Sequence, residues 1–351
     1  TVSGCSSAQS VAVSVTINAL PQDKTVTPTS STTICSGGTV TLQVAASQSG
    51  INYEILDQLS NVVSGIVVGT GGNVNITSNA LSTSVTSLRV RATNASTTCS
   101  RLLDAADAVV VNAIPAALTI NPVGPVVVCE GTPSVLLTAS AGGGYQWYLN
   151  GTPIGGATAS TYNVTTLPAN SGNYTVTQTV SGCSSAQSVA VSVTINALPQ
   201  DKTVTPTSST TICSGGTVTL QVAASQSGIN YEILDQLSNV VSGIVVGTGG
   251  NVNITSNALS TSVTSLRVRA TNASTTCSRL LDAADAVVVN AIPAALTINP
   301  VGPVVVCEGT PSVLLTASAG GGYQWYLNGT PIGGATASTY NVTTLPANSG
   351  N

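Results

Sequence analysis

Eight cysteines, at positions 5, 35, 99, 129, 183, 213, 277 and 307, are the residues of this chain whose type and spacing most plainly imply chemistry. None forms the close C-x-x-C pairing of a zinc site. The sequence contains no histidine, so the commonest nitrogen ligand is missing too. Widely spaced cysteines among abundant Ser and Thr read as structural disulfides, a chemistry of oxidising compartments. The pairs Cys35–Cys99, Cys129–Cys183 and Cys213–Cys277 each bracket one set of strands. They are expected to tie loops at the end of a single domain. The competing arrangement, Cys99–Cys129, would staple neighbouring domains together. Cys5 and Cys307 are expected to find no partner within this stretch.

Other reactive groups are sparse. Asp104 and Asp107, with Glu54 and Asp57 in the same segment, could be imagined around a calcium ion. A D-x-x-D pair supplies too few of the six to eight oxygens that calcium takes, so solvated loop charges are expected. Lys24 brings to mind an intramolecular Lys–Asn cross-link, but it follows Pro21 in what reads as a linker and is expected to be an exposed charge. Without histidine, and with its few carboxylates in loops, the chain offers no general base; no enzyme activity, metal or cofactor is expected. Asn-x-Ser/Thr triplets at Asn75, Asn94, Asn150, Asn163 and Asn173 are what an Asn-, Ser- and Thr-rich chain produces by chance. Lys and Arg total eight against a net charge of -4, which leaves no basic stripe for nucleic acid. No apolar run approaches the ~20 residues of a membrane span.

The elements that hold these residues are set by a repeat. Thr179 to Asn351 copies Thr1 to Asn173 without a mismatch, a period of 178 residues. Within it, short alternating segments recur between turn signals, as in a β-sandwich. Val40, Leu42 and Val44 alternate inward. Further strands are expected at 52–56, 73–77, 88–92 and 108–112, with Arg89 and Arg91 marking an outer face. Val11, Val13, Val15 and Ile17 alternate with Ala and small polar residues, and predict the clearest strand of the chain. The expected units are a closing strand at 1–20, an A-type domain at 21–114, a B-type domain at 115–198, a second A-type domain at 199–292 and an incomplete B-type domain at 293–351.

The B type carries the most distinctive residues: Tyr145-Gln146-Trp147-Tyr148-Leu149, then Ser171-Gly172-Asn173-Tyr174-Thr175-Val176. This resembles the immunoglobulin-like fold, with its buried third-strand Trp and its tyrosine corner. The resemblance implies an all-β chain of tandem immunoglobulin-like β-sandwiches, two types alternating in a linear array. Where antibody-type domains carry their inter-sheet cysteines, Ala139 and Val176 stand instead, so that bond is not available. The resemblance makes Trp147, Ala139, Val176, Tyr174 and the repeated Trp325 core residues. Tyr148, on the opposite face of the same strand, is a better candidate than Trp147 for a sugar contact, although a single exposed Tyr is unremarkable.

Alternating units with CSGG and CEGT openings, YQWYLNGTPI, and SGNYTVT before a closing Cys are similar to the tandem modules of very large Bacteroidota cell-surface adhesins. Some of those are exported by type IX secretion, gliding-motility adhesins among them. The resemblance implies a stalk or filament segment of an extracellular, surface-located adhesin. Its partners would be neighbouring repeats and a surface glycan or substratum. The alternatives are a carbohydrate-binding module array of a secreted protein, or a subunit polymer in which each first strand completes a neighbour's last domain. The unmatched halves at 1–20 and 293–351 are expected to mark a window on a longer continuous array.

Overall fold

The computed structural model describes residues 3–103, 107–281, 285–343 and 350. It divides into two compact units, 1–198 and 199–351. Apart from one 3-10 turn at Pro168–Asn170, all regular structure among the described residues is β.

The first unit contains two sandwiches. The strands of the first are β1 (Val26–Pro28), β2 (Thr33–Cys35), β3 (Thr41–Val44), β4 (Ile51–Leu56), β5 (Val67–Val68), β6 (Val74–Thr77), β7 (Val85–Asn94), β8 (Ser100–Leu102) and β9 (Asp107–Asn112). A three-stranded sheet, β1-β3-β6, faces a six-stranded one ordered β2-β9-β7-β4-β5 with β8 against β7. The period-two pattern explains the packing. Leu42, Val44, Ile76, Tyr53, Ile55, Leu88 and Val90 point inward and are buried together, while Arg89 is exposed on the reverse face of β7. Tyr53 is fully buried and stays satisfied because its hydroxyl accepts from the Gln48 amide at 2.8 Å. A side chain at Gly69 would strike the Gln48 carbonyl and the Tyr53 ring, so only glycine fits beside them.

The second sandwich comprises β10 (Ile120–Asn121), β11 (Val126–Cys129), β12 (Val135–Ala139), β13 (Tyr145–Leu149), β14 (Thr152–Pro153), β15 (Thr161–Val164), β16 (Gly172–Val180), β17 (Cys183–Ser184) and β18 (Val191–Asn196). Its sheets are β10-β12-β15 and β11-β18-β16-β13-β14, with β17 on β16. Trp147, Ala139, Val176 and Tyr174 lie in one core with Leu137, Val191 and Val193. Trp147 is fully buried, and its indole N–H donates to the Ala159 carbonyl at 2.9 Å. The Tyr162 ring sits between Trp147 and Tyr174, with centroids 6.1 and 5.9 Å away. The Tyr174 hydroxyl donates to the Asn170 carbonyl at 2.7 Å, closing a tyrosine corner over the 3-10 turn.

In both sandwiches the strand ending in the first cysteine runs parallel to the last strand, β2 to β9 and β11 to β18. All other pairings are antiparallel.

The predicted strand over Val11–Ile17 is absent. Residues 6–20 form no strand, and Val13 is 85% exposed. The identical residues at Val191–Asn196 are β18, where Val191 is 4% exposed. The difference is pairing. β18 lies between β11 and β16, and residues 6–20 have no such neighbours within their unit.

The second unit repeats the first sandwich around a core running from Val204 to Val287. The residues after it pair Val313–Ala317 with both Thr339–Val342 and Ile298–Asn299. Trp325 stays 7% exposed with its indole bonded to Ala337, but Val304–Val306, the copy of β11, form no strand and are exposed.

Candidate functional site

A built chemical site joins the two sandwiches of the first unit. Its covalent element is a Cys35–Cys183 disulfide with a Cα–Cα distance of 5.6 Å, within the ordinary range for a disulfide. The expected Cys35–Cys99 and Cys129–Cys183 pairings are therefore corrected, and the topology supplies the reason. Cys35 ends β2 in parallel register with Asn112, the last residue of β9, so it sits where the chain leaves the first sandwich. Cys99 lies beyond the far end of antiparallel β7, held by the Asn94 amide bonding to its carbonyl. The ten residues of β7 separate the two ends by ~30 Å, far beyond disulfide reach.

The second sandwich repeats the arrangement. Cys129 lies beside Asn196 at the downstream end, and Cys183 follows the β16–β17 turn at the upstream end. Each sandwich thus carries one cysteine per end, and the downstream cysteine of the first meets the upstream cysteine of the second. Cys213 is a free exposed thiol, which also overturns the Cys213–Cys277 pairing. Cys5, Cys99 and Cys307 are free as well, whereas Cys129 and Cys277 are disulfide-bonded.

Polar contacts complete the clasp. The Asn112 side-chain amide donates to the Ser181 carbonyl at 3.0 Å, and the Ser36 amide donates to the Asn112 carbonyl at 2.9 Å. Ser181 and Gly182 both have positive φ, 50° and 79°, which makes the tight turn presenting Cys183. Cys183 is buried at 1% exposure. Neither Asn112 nor Ser181 stands out in the sequence, because a strand-end Asn and a turn Ser have many ordinary uses. A positive-φ signal was nevertheless legible in Ser-Gly-Cys.

The remaining candidates do not converge on a site. Glu54 pairs with Arg91, whose Nε donates to it at 2.8 Å on the outer sheet face. Asp57 caps a hairpin turn. The Asn61 side-chain amide, helped by the Asn61 and Leu59 backbone amides, holds its carboxyl below the usual range. Asp107 starts β9, and Asp104 lies outside the described residues. Among the described residues no group of three or more potential ligands gathers around a metal position. Tyr148 is half-buried beside Pro153 and Thr175, and its copy Tyr326 is exposed. No helix is long and apolar enough to cross a membrane.

Residues 115–197 match the family model described as "Ig-like domain CHU_C associated". Among solved structures, an I-band fragment from titin aligns over 76% of this chain and 98% of its own, at 11% identity and a TM-score of 0.39. An ICAM-5 ectodomain fragment aligns over 76% of each chain, at 14% identity and a TM-score of 0.37. Comparison with curated proteins finds no match. The chain is therefore a run of tandem immunoglobulin-like sandwiches, on the evidence of its sheet order and the family match.

Proposed function

We propose that this chain is a structural repeat segment, a stalk or filament, of a large extracellular adhesin displayed on a cell surface. The proposal extends to its module plan: A-type sandwiches at 21–114 and 199–292 alternate with B-type sandwiches at 115–198 and 293–351, and residues 1–20 belong to a further B unit. The carrying observation is the Cys35–Cys183 bond with its Asn112–Ser181 hydrogen bond. A covalent tie between successive sandwiches resists separation under load, which suits a mechanical element and has no evident use in a catalyst. It also supports an extracytoplasmic location, because such a bond persists in oxidising surroundings. The match to a CHU_C-associated immunoglobulin-like family supports export by a Bacteroidota route such as type IX secretion, with gliding adhesins as the nearest analogy.

Immunogold labelling of intact cells, with antibodies raised against residues 115–197, tests the reading. Label on filaments or the outer surface is expected. Label seen only after lysis would overturn it.

A further inference from the structure

The Cys35–Cys183 bond closes a loop over a sequence separation of 148, within a period of 178 residues. Residues 36–182 hang inside that loop. A pull along the chain enters the first sandwich at Pro21, reaches Cys35, crosses the disulfide to Cys183 and leaves through Leu198. Two arms alone lie on this covalent line, residues 21–35 of the first sandwich and residues 183–198 of the second.

The two arms are anchored differently. The 21–35 arm holds β1 and β2, and each is an edge strand, β1 of the three-stranded sheet and β2 of the six-stranded one. It gives the buried core Val26, with Ile34 packed against it, while the rest of that core, from Val40 to Val109, follows Cys35 in the chain. Without the arm, β3 still pairs with β6 and β9 with β7. The 183–198 arm instead holds β18, an inner strand between β11 and β16 that gives the second core Val191, Val193 and Ile195. An edge strand gives up ladder hydrogen bonds on one side and an inner strand on both, so the 21–35 arm is the weaker hold.

We propose that the bond makes this pair of sandwiches a strap of limited extension. Under tension the 21–35 arm peels from its two sheet edges first, the disulfide stops the peeling at Cys35, and the core beyond Cys35 stays folded. At ~3.5 Å per residue the arm supplies about 50 Å of slack. The same sandwich without the bond would pass its whole chain into the line, about 300 Å. The slack is recoverable, because β3 and β9 keep the edges to which β1 and β2 return when tension falls. In a continuous array the stretch of each period left on the line runs from Cys183 to Cys213, the next copy of Cys35.

Tension on the chain presupposes the stalk reading, but purified protein under applied force tests the strap by itself, without cell labelling. A chain that failed as a strap would leave the stalk standing. The full chain carries Cys129→Ala and Cys277→Ala, which leaves Cys35–Cys183 as its disulfide, and its free thiols are alkylated. It is held by tags at its two ends in an optical trap. Short steps of about 50 Å are expected from the first unit, in place of two releases of about 300 Å that Cys35→Ala with Cys183→Ala should restore. Val26→Ala should lower the force of the first short step and leave the second unmoved. In the unaltered chain, the hydrogen-bonded amides of residues 26–35 should exchange at least about ten times faster than those of residues 41–56, since the arm opens while the core stays closed. Long releases from the first unit that persist in the clasped chain would overturn the proposal. So would short steps that ignore Val26→Ala, or exchange at 26–35 as slow as at 41–56, because the arm would then be one piece with the core.

Discussion

Replacing Cys35 and Cys183 by alanine removes a bond whose contribution can be worked from the topology. Cys35 lies beside Asn112 for as long as the first sandwich is folded. When the second sandwich unfolds alone, the loop closed by the disulfide therefore runs only from the strand end at Asn112 to Cys183, about 70 residues. The chain-entropy relation assigns such a loop about 4.4 kcal/mol. If both sandwiches unfold together, the loop is the whole sequence separation of 148, and the same relation gives about 5 kcal/mol. The second sandwich is thus expected to lose about 4 to 5 kcal/mol.

The assay is guanidinium chloride unfolding of the chain carrying Trp325→Phe, which leaves Trp147 as its single tryptophan and the reporter of the second core. With a slope of about 2 kcal/mol/M for a domain of this size, the Trp147 transition should move down by about 2 M. Cys35→Ala alone should produce the same shift, although Cys35 belongs to the first sandwich. An unmoved Trp147 transition in Cys35→Ala would refute the reasoning, because it is the outcome of a bond confined to one sandwich.

Other consequences concern the second core and the two copies of its last strand. Trp147→Ala should cost about 3 to 5 kcal/mol through the cavity it leaves, seen as an earlier denaturant transition of the second sandwich by circular dichroism, with the first sandwich unchanged. Val191→Asp should cost more than about 3 kcal/mol, since it places a carboxylate in a closed core, whereas Val13→Asp, the same change in the same sequence, should stay within about 0.5 kcal/mol; thermal melts of the two variants check this. Burial, with a smaller contribution from Tyr162, pushes the Tyr174 phenol up to about 12. Its folded value lies above the unfolded value of about 10, so its contribution is full below pH 10 and is lost as pH rises towards 12. Denaturation at stepped alkaline pH should show that loss, and Tyr174→Phe should abolish this component of it. The same variant costs about 1 kcal/mol at neutral pH for the lost bond to Asn170.

The sequence by itself determined the β class, the period of 178, the inward residues Val40, Leu42 and Val44, and the motif that places Trp147 and Tyr174. These are local properties. Alternation, turn chemistry and a Trp set opposite a corner Tyr keep their meaning wherever the chain goes.

Two matters were decided only by tertiary structure. The first is whether a strand-forming sequence becomes a strand. Val13–Asn18 and Val191–Asn196 are the same six residues, yet only the second copy has flanking strands to take its backbone hydrogen bonds and a core to take its valines. The second is the disulfide. Along the sequence Cys35 and Cys99 bracket one set of strands, which suggests a common end. The parallel pairing of β2 with β9 carries Cys35 to the exit of its sandwich, and antiparallel β7 carries Cys99 to the opposite end. Strand direction is not written in alternating side chains, because parallel and antiparallel partners both satisfy a period of two. The fold alone therefore sets Cys35 beside Cys183.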